Sequence, residues 1–265
     1  MSRRRLVAWA LAAALAAPAA VEAQDTSVRA PAPPPADTDT VPPPPRTLPV
    51  NGVLLRPQHL RYQMTVVASD STHVVGIRTV SVTQGTYGAF PAWLIAQTRG
   101  GSVPATDTVY LSYVDLRPLH WTSTVGGRSR LALEFTGDSI YGGTSGPPGN
   151  QNIQLAEPHD LLAGAPMTEL VLQLMPHGVG RMDSVSVLQV DLGSARIVPG
   201  AITVDGEQDV PSPRGPVHCW VVTLSTPLGS AHYWVAEDTP VVVRIRQDLP
   251  GMPGAVLEQR LIGGP

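Results

Sequence analysis

Between Ile202 and Ile262 the chain has room for little except antiparallel strands. Ile202–Val210, Val217–Leu224, Ala231–Ala236, Val241–Arg246 and Val256–Ile262 are short runs rich in β-branched and aromatic residues. Each is bounded by Gly, Pro, Asp or Ser, as at Pro211-Ser-Pro-Arg-Gly215. Such runs, spaced this closely, leave no length for crossover helices and therefore predict consecutive antiparallel pairing.

The preceding 150 residues carry the same signature. In His59–Val66, Leu60, Tyr62, Met64 and Val66 alternate with His59, Arg61, Gln63 and Thr65, the pattern of a half-buried strand. Further strands are predicted at 74–83, 92–98, 108–114, 119–125, 130–136 and 139–141, with Gly100-Gly101, Gly126-Gly127 and Gly137-Asp138 as turns. Turn signals every 8–12 residues are those of an antiparallel barrel or sandwich. The Gly- and Pro-rich segment 142–154 interrupts the pattern and reads as a long flexible loop. Pro166 then stands where a helix begins, and Met167, Leu170, Val171 and Leu174 fall at helical spacing until Pro176 stops the run. One short helix, 166–175, is therefore expected as a lid or plug on the sheet, followed by a strand at 183–191. The expected class is all-β with one short helix.

The N-terminus differs in kind. Arg3-Arg4-Arg5, an Ala/Leu-rich stretch from Leu6 to Ala20 and the small residues Val21 and Ala23 make residues 1–23 an expected signal peptide, cleaved before Gln24. No Cys follows that site to accept an acyl anchor. Residues 24–51 are read as a disordered Pro-rich linker, with nine prolines between Pro31 and Pro49. Residues 52–265 form the expected single β domain. The protein is thus expected to be exported, periplasmic or extracellular, with no transmembrane segment in the mature chain.

Charge and cysteine content exclude several roles. All 18 basic residues are Arg, against 21 acidic ones. Without residues 1–23 the balance is 15 to 20, a formal charge of −5. A mildly acidic chain with no basic run does not suit nucleic acid or an anionic membrane surface. Cys219 is the lone cysteine, so neither an intramolecular disulfide nor a multi-Cys zinc site can form. Its place inside a strand predicts a buried, inert thiol.

Several short motifs fall in the second half: a helix ending in Leu174-Met-Pro-His-Gly178, then Val204-Asp-Gly-Glu207, Ser212-Pro-Arg-Gly215, Cys219-Trp220, Tyr233-Trp-Val-Ala236 and a Val-Val-Arg strand. Over about residues 160–262 this resembles uncharacterised exported bacterial proteins grouped by fold near the outer-membrane lipoprotein carriers. The resemblance implies a strongly curved antiparallel sheet, an open or half β-barrel, with apolar surface sheltered in its concave face beneath the helix. In the carriers such a hollow is thought to receive acyl chains. No catalytic residue is implied.

The residues themselves offer little chemistry. There is no G-x-S-x-G, H-E-x-x-H, phosphate loop or EF-hand. Seven histidines stand singly, and only His218 and His232 invite pairing, on one face with Trp220 and Trp234 and with Glu207 as a third donor; polar surface side chains explain them better than a metal. Asp205, Glu207 and Asp209 form an acidic turn of ordinary composition. Neither catalytic residues nor a metal or cofactor is therefore expected. The leading expectation is a non-enzymatic domain that binds an apolar or lipid-like ligand, an acyl chain for instance. Met64, Trp93, Trp121, Leu170, Trp220 and Trp234 would line the concave face. The alternatives are a structural or interaction module with an envelope protein as partner, and a hydrolase assembled from distant strands.

Overall fold

The computed structural model describes residues 48–264, apart from residues 70, 147–148, 192–193, 213–214 and 250. The expected signal peptide and most of the linker lie outside the described residues. The order is β1 (Gln58–Ala68), β2 (Ser71–Tyr87), β3 (Phe90–Arg99), β4 (Ala105–Ser112), β5 (Pro118–Val125), β6 (Arg128–Phe135), β7 (Ser139–Gly146) and β8 (Gly149–Ala156). Then come β9 (Leu161–Ala163), helix α1 (Gly164–Leu174), β10 (Met182–Asp191), β11 (Ser194–Ser212), β12 (Gly215–Thr226), β13 (Gly229–Ala236), β14 (Val242–Asp248) and β15 (Val256–Gly263).

All fifteen strands form one sheet in the order β8-β7-β6-β5-β4-β3-β2-β1-β15-β14-β13-β12-β11-β10-β9. Two meanders are thus joined by β1 against β15, and every pairing is antiparallel except β9 with β10. The class is the expected one, an all-β open barrel-like sheet with one α-helix among the described residues.

The segment 142–154 is a correction. It is a hairpin, with β7 pairing β8 from Ser139↔Ala156 to Gly146↔Gly149, and not a flexible loop. Its glycines serve packing. Gly142 has φ +146°, and a Cβ there would lie 2.0 Å from the carbonyl oxygen of Ala132 on β6. Close approach of backbones, a strand use of Gly, has the same composition as a loop. At the other boundary the fold reaches back before Gly52. Leu48 is buried in the core, Val50 packs against it, and Asn51 caps a 3-10 turn at Gly52–Leu54 through Val53 N–H.

Helix α1 starts at Gly164, two residues before Pro166. Gly164 takes φ +76° and sits against the Trp121 indole, where a Cβ would meet the ring at 3.0 Å. Eight consecutive residues, Pro166 to Gln173, are buried. A helix buried on every side is a core element, so α1 is the plug of the sheet and not a lid over it.

Its polar residues must then be paired. Glu169 meets Arg78 of β2 at 2.6 Å, both almost fully buried, and Gln173 accepts from Gln58 at 3.1 Å. Arg78 also donates to Gln97 of β3 at 2.7 Å and Gln259 of β15 at 2.9 Å; Gln97 donates on to Asp107 of β4 at 2.9 Å. The Arg78 guanidinium stands 5.0 Å over the Tyr62 ring. Burial pushes Glu169 above the usual carboxylate range, and Arg78 opposes that shift by charge and hydrogen bond. Removing one partner of such a pair costs about 3–5 kcal/mol, because a buried charge is left alone. Glu169→Leu is therefore expected to destabilise the domain by about that amount, and Arg78→Met/Glu169→Leu by less than the single change. Urea unfolding of the three proteins checks this. A double variant weaker than Glu169→Leu would show the pair to be net stabilising.

Candidate functional site

Cross-strand register decides which residues share a face. The face toward α1 carries Gln259, and with it Met64, Ile245 and Tyr233 by direct pairing. Trp93 and Trp121 pair with Leu111 and Val109 on this same face, and Trp220 pairs with Val235. Leu170 lies on the helix itself. These five expected ligand residues therefore all point to the concave side, which α1 occupies. Trp93 is fully buried, stacks on Tyr113 and donates its indole N–H to Gly52 at 3.0 Å. Met64 and Leu170 are buried, while Trp121 and Trp220 are half-buried.

Trp234 is on the other face, a correction to its expected partnership with Trp220. The two-residue turn at Pro227-Leu228 closes Thr226 on Gly229, so even-numbered residues of β12 face odd-numbered residues of β13. Trp234 consequently pairs with Val221, and His232 with Thr223, away from His218. The histidine pair is thereby split. His218 donates to Asp209 at 2.8 Å and to Glu207 at 3.2 Å, which raises its pKa, while His232 donates to Thr223 at 2.8 Å. Among the described residues no group of three His, Cys, Asp or Glu side chains is arranged to hold a metal.

The structure also holds a site that the sequence pattern does not announce, lined by Arg260 of the outer face and by Leu261, which pairs with Tyr62 of the inner one. At the end of the sheet where β11, β13 and β15 finish and β12 and β14 begin, a cleft of about 490 Å³ opens to the surface. This is within the range of small-molecule sites, a few hundred to about 1,000 Å³. Val210, Val217, Ala236, Val243, Leu261 and Ile262 give it apolar walls, and Arg260 and Asp238 bring the charges.

Two β-bulges shape it. Trp234 pairs with Arg244 but Val235 with Val242, leaving Val243 as the extra residue. Likewise Tyr62 pairs with Leu261 but Arg61 with Gly263, leaving Ile262 unpaired. A bulge re-aims a side chain, and both extra residues line the cleft. Trp234 flanks this region: Arg244 stands 4.6 Å over its ring, and its N–H donates to Gln208 at 2.8 Å. Nothing in the local composition announces the cleft.

A family model for proteins of unknown function, DUF3108, matches residues 61–254. The chain belongs to the DUF3108 family. The expected kinship with uncharacterised β-barrel-like bacterial proteins holds, and it takes in β1 to β8 as well as the second half. No functionally curated protein matches this DUF3108 chain. Among solved structures it is similar to a β-barrel-like protein of DUF1849 from Brucella abortus, with 10% identity and a TM-score of 0.48, over 78% of this chain and 96% of that one. It is also similar to the hypothetical lipoprotein YmcC from Escherichia coli, with 13% identity and a TM-score of 0.31, over 76% and 86%. A DUF1329 family protein from Desulfovibrio piger matches with 9% identity and a TM-score of 0.28, over 80% and 85%. No residue role is carried over from these structures. No helix among the described residues is long and apolar enough to cross a membrane.

Two side chains near Trp220 give testable behaviour. Cys219 is fully buried opposite Ala236, and burial pushes its thiol up to about 12. It is expected to react slowly with a thiol reagent in the native DUF3108 domain and rapidly in denaturant; fast native labelling would contradict this.

His177 donates Nε2–H to the Leu172 carbonyl at 2.9 Å and stacks on Trp220. Burial holds its pKa below the usual value, the Leu172 carbonyl opposes that, and Arg181 adds to it. The unfolded chain takes up the proton near its ordinary value of about 6.5. The His177 contribution is therefore present above that pH and lost as pH falls through it. His218, with its raised pKa, acts in the opposite sense and is unchanged in a His177→Gln variant. Between about pH 7.5 and 5.5, wild type is expected to lose more stability than His177→Gln. Equal losses in urea unfolding would contradict the assignment.

Proposed function

We propose that this DUF3108 protein is an exported, non-enzymatic envelope domain that binds an apolar or lipid-like ligand, and that the ligand lies in the cleft at the end of β11–β15. The observation that carries the reading is the cleft itself: an apolar, surface-open space of about 490 Å³, two of whose walls are the extra residues of bulges. Exposed apolar surface is costly to maintain unless something covers it, and Ile262 remains 40% exposed there. The concave face supports the reading less, because α1 already fills it.

A second reading, an interaction module of the envelope, is favoured by β8. This edge strand, Gly149-Asn-Gln-Asn-Ile-Gln-Leu-Ala156, has no charge, no proline and no bulge in its pairing with β7. Natural edges usually carry one of these protections against added strands.

The cleft reading is tested with a neutral naphthylamine fluorophore whose emission rises in apolar surroundings. Wild type is expected to bind it. Ile262→Asp removes a contact worth about 1.5–3 kcal/mol when buried, so binding falls at least about tenfold with little change in melting temperature. Leu170→Asp is expected instead to unfold the domain. An unchanged affinity in Ile262→Asp, or no binding by wild type, would reject the cleft.

A further inference from the structure

We propose that the cleft selects a single-chain amphiphile with an anionic head, a carboxylate or a phosphate, and that Arg260 is the residue that recognises the head. The inference rests on the cleft being the binding site.

Among the cleft residues named above, Arg260 is the one cation. It lines the cleft, its Nε–H is bonded to Glu258, and its side chain is 64% exposed. A planar guanidinium offers two parallel N–H groups to a carboxylate or phosphate, which a neutral or cationic head cannot use.

The surroundings tilt the same way. Glu258 is shared, because it also accepts from Arg244 at 2.8 Å, and Arg244 pairs directly with Arg260 across β14 and β15. Burial opposes ionisation of Glu258, but the two guanidiniums outweigh it and hold the carboxyl below its usual range. One carboxylate thus serves two guanidiniums and leaves one positive charge over. Arg61 adds another: it pairs with Gly263, which lines the cleft, and its side chain lies along that glycine. Asp238, in the turn after β13, is the opposing charge among the lining residues. The arginines gather on the β15 side of the mouth, with Asp238 and its neighbour Glu237 on the β13 side. Apolar walls with a cation at the rim suit a molecule that is apolar along its length and anionic at one end, whereas a uniformly apolar ligand would gain nothing from Arg260.

The test compares four probes of equal chain length by calorimetry: dodecanoate, dodecyl phosphate, dodecanol and dodecyltrimethylammonium. Dodecanoate and dodecyl phosphate are expected to bind at least about tenfold tighter than dodecanol, the size of effect of one charge-assisted hydrogen bond, and the cationic probe weakest of all. Arg260→Gln should reduce both anions to the affinity of dodecanol and leave dodecanol unchanged. Asp238→Asn should strengthen both anions. A gap between the two anions tells a carboxylate head from a phosphate head and leaves the shared chemistry in place.

Equal binding of dodecanol and the anions, or an anion preference that survives Arg260→Gln, overturns the inference while the apolar site stands. If no probe binds, the cleft reading falls and the inference falls with it.

Discussion

Arg78 and Glu169 are the pair on which the rest of the architecture depends. An ion pair taken wholly out of water gains little net stability, since desolvation consumes most of the attraction. What the pair does supply is position. A one-turn slide would carry Glu169 about 5.4 Å along the helix axis and strand both charges, because Arg78 is held in the sheet by Gln97 and Gln259 and cannot follow. The helix therefore has one acceptable height and one acceptable rotation. Through Gln97 to Asp107 on one side and Gln259 on the other, the same network ties β2, β3, β4 and β15 to that choice. The two meanders meet at β1 and β15, so the network also spans the seam that joins them.

Much of this is legible in the sequence. Alternation in β1 put Leu60, Tyr62, Met64 and Val66 on one face, and the structure has them there. The same alternation puts Arg78 in line with Val80 and Val82, Gln97 with Trp93 and Ile95, and Asp107 with Val109 and Leu111. Three strands in succession carry a polar residue on the apolar face, so something polar must meet them there. Glu169, between Thr168 and Leu170 on the helix, was the available answer. The helix period found its apolar stripe, but a stripe implies a wet opposite face, and here Thr168, Glu169 and Gln173 are buried as well.

Other features were illegible for identifiable reasons. A Gly-rich segment looks alike whether its glycines turn the chain or let two strands approach, so residues 142–154 could not be assigned from composition. Face assignments across β12 and β13 hinge on a turn length: one residue more or fewer at Pro227-Leu228 would have brought Trp220 and Trp234 to one side, and with them His218 and His232. The cleft is harder still. It depends on two bulges in different strands, and a bulge adds one residue to a ladder without any change in residue type.

The division between inner and outer faces bears on where a ligand can go. To admit an acyl chain into the hollow, α1 would have to leave. That exposes Met167, Leu170, Val171 and Leu172, at about 1.5–3 kcal/mol each, and abandons Arg78 in the sheet at about 3–5 kcal/mol more. The sum matches or exceeds the whole stability of an ordinary domain, about 5–15 kcal/mol. A bound chain could return the apolar part of that cost, but it has no carboxylate at mid-length to replace Glu169. The cleft asks for none of this. Its walls are already open, Val243 and Ile262 are already released from pairing, and Glu258 can keep Arg244 while Arg260 turns to a ligand. A fold that locks its hollow with an ion pair is thus free to bind at its rim without loosening its core.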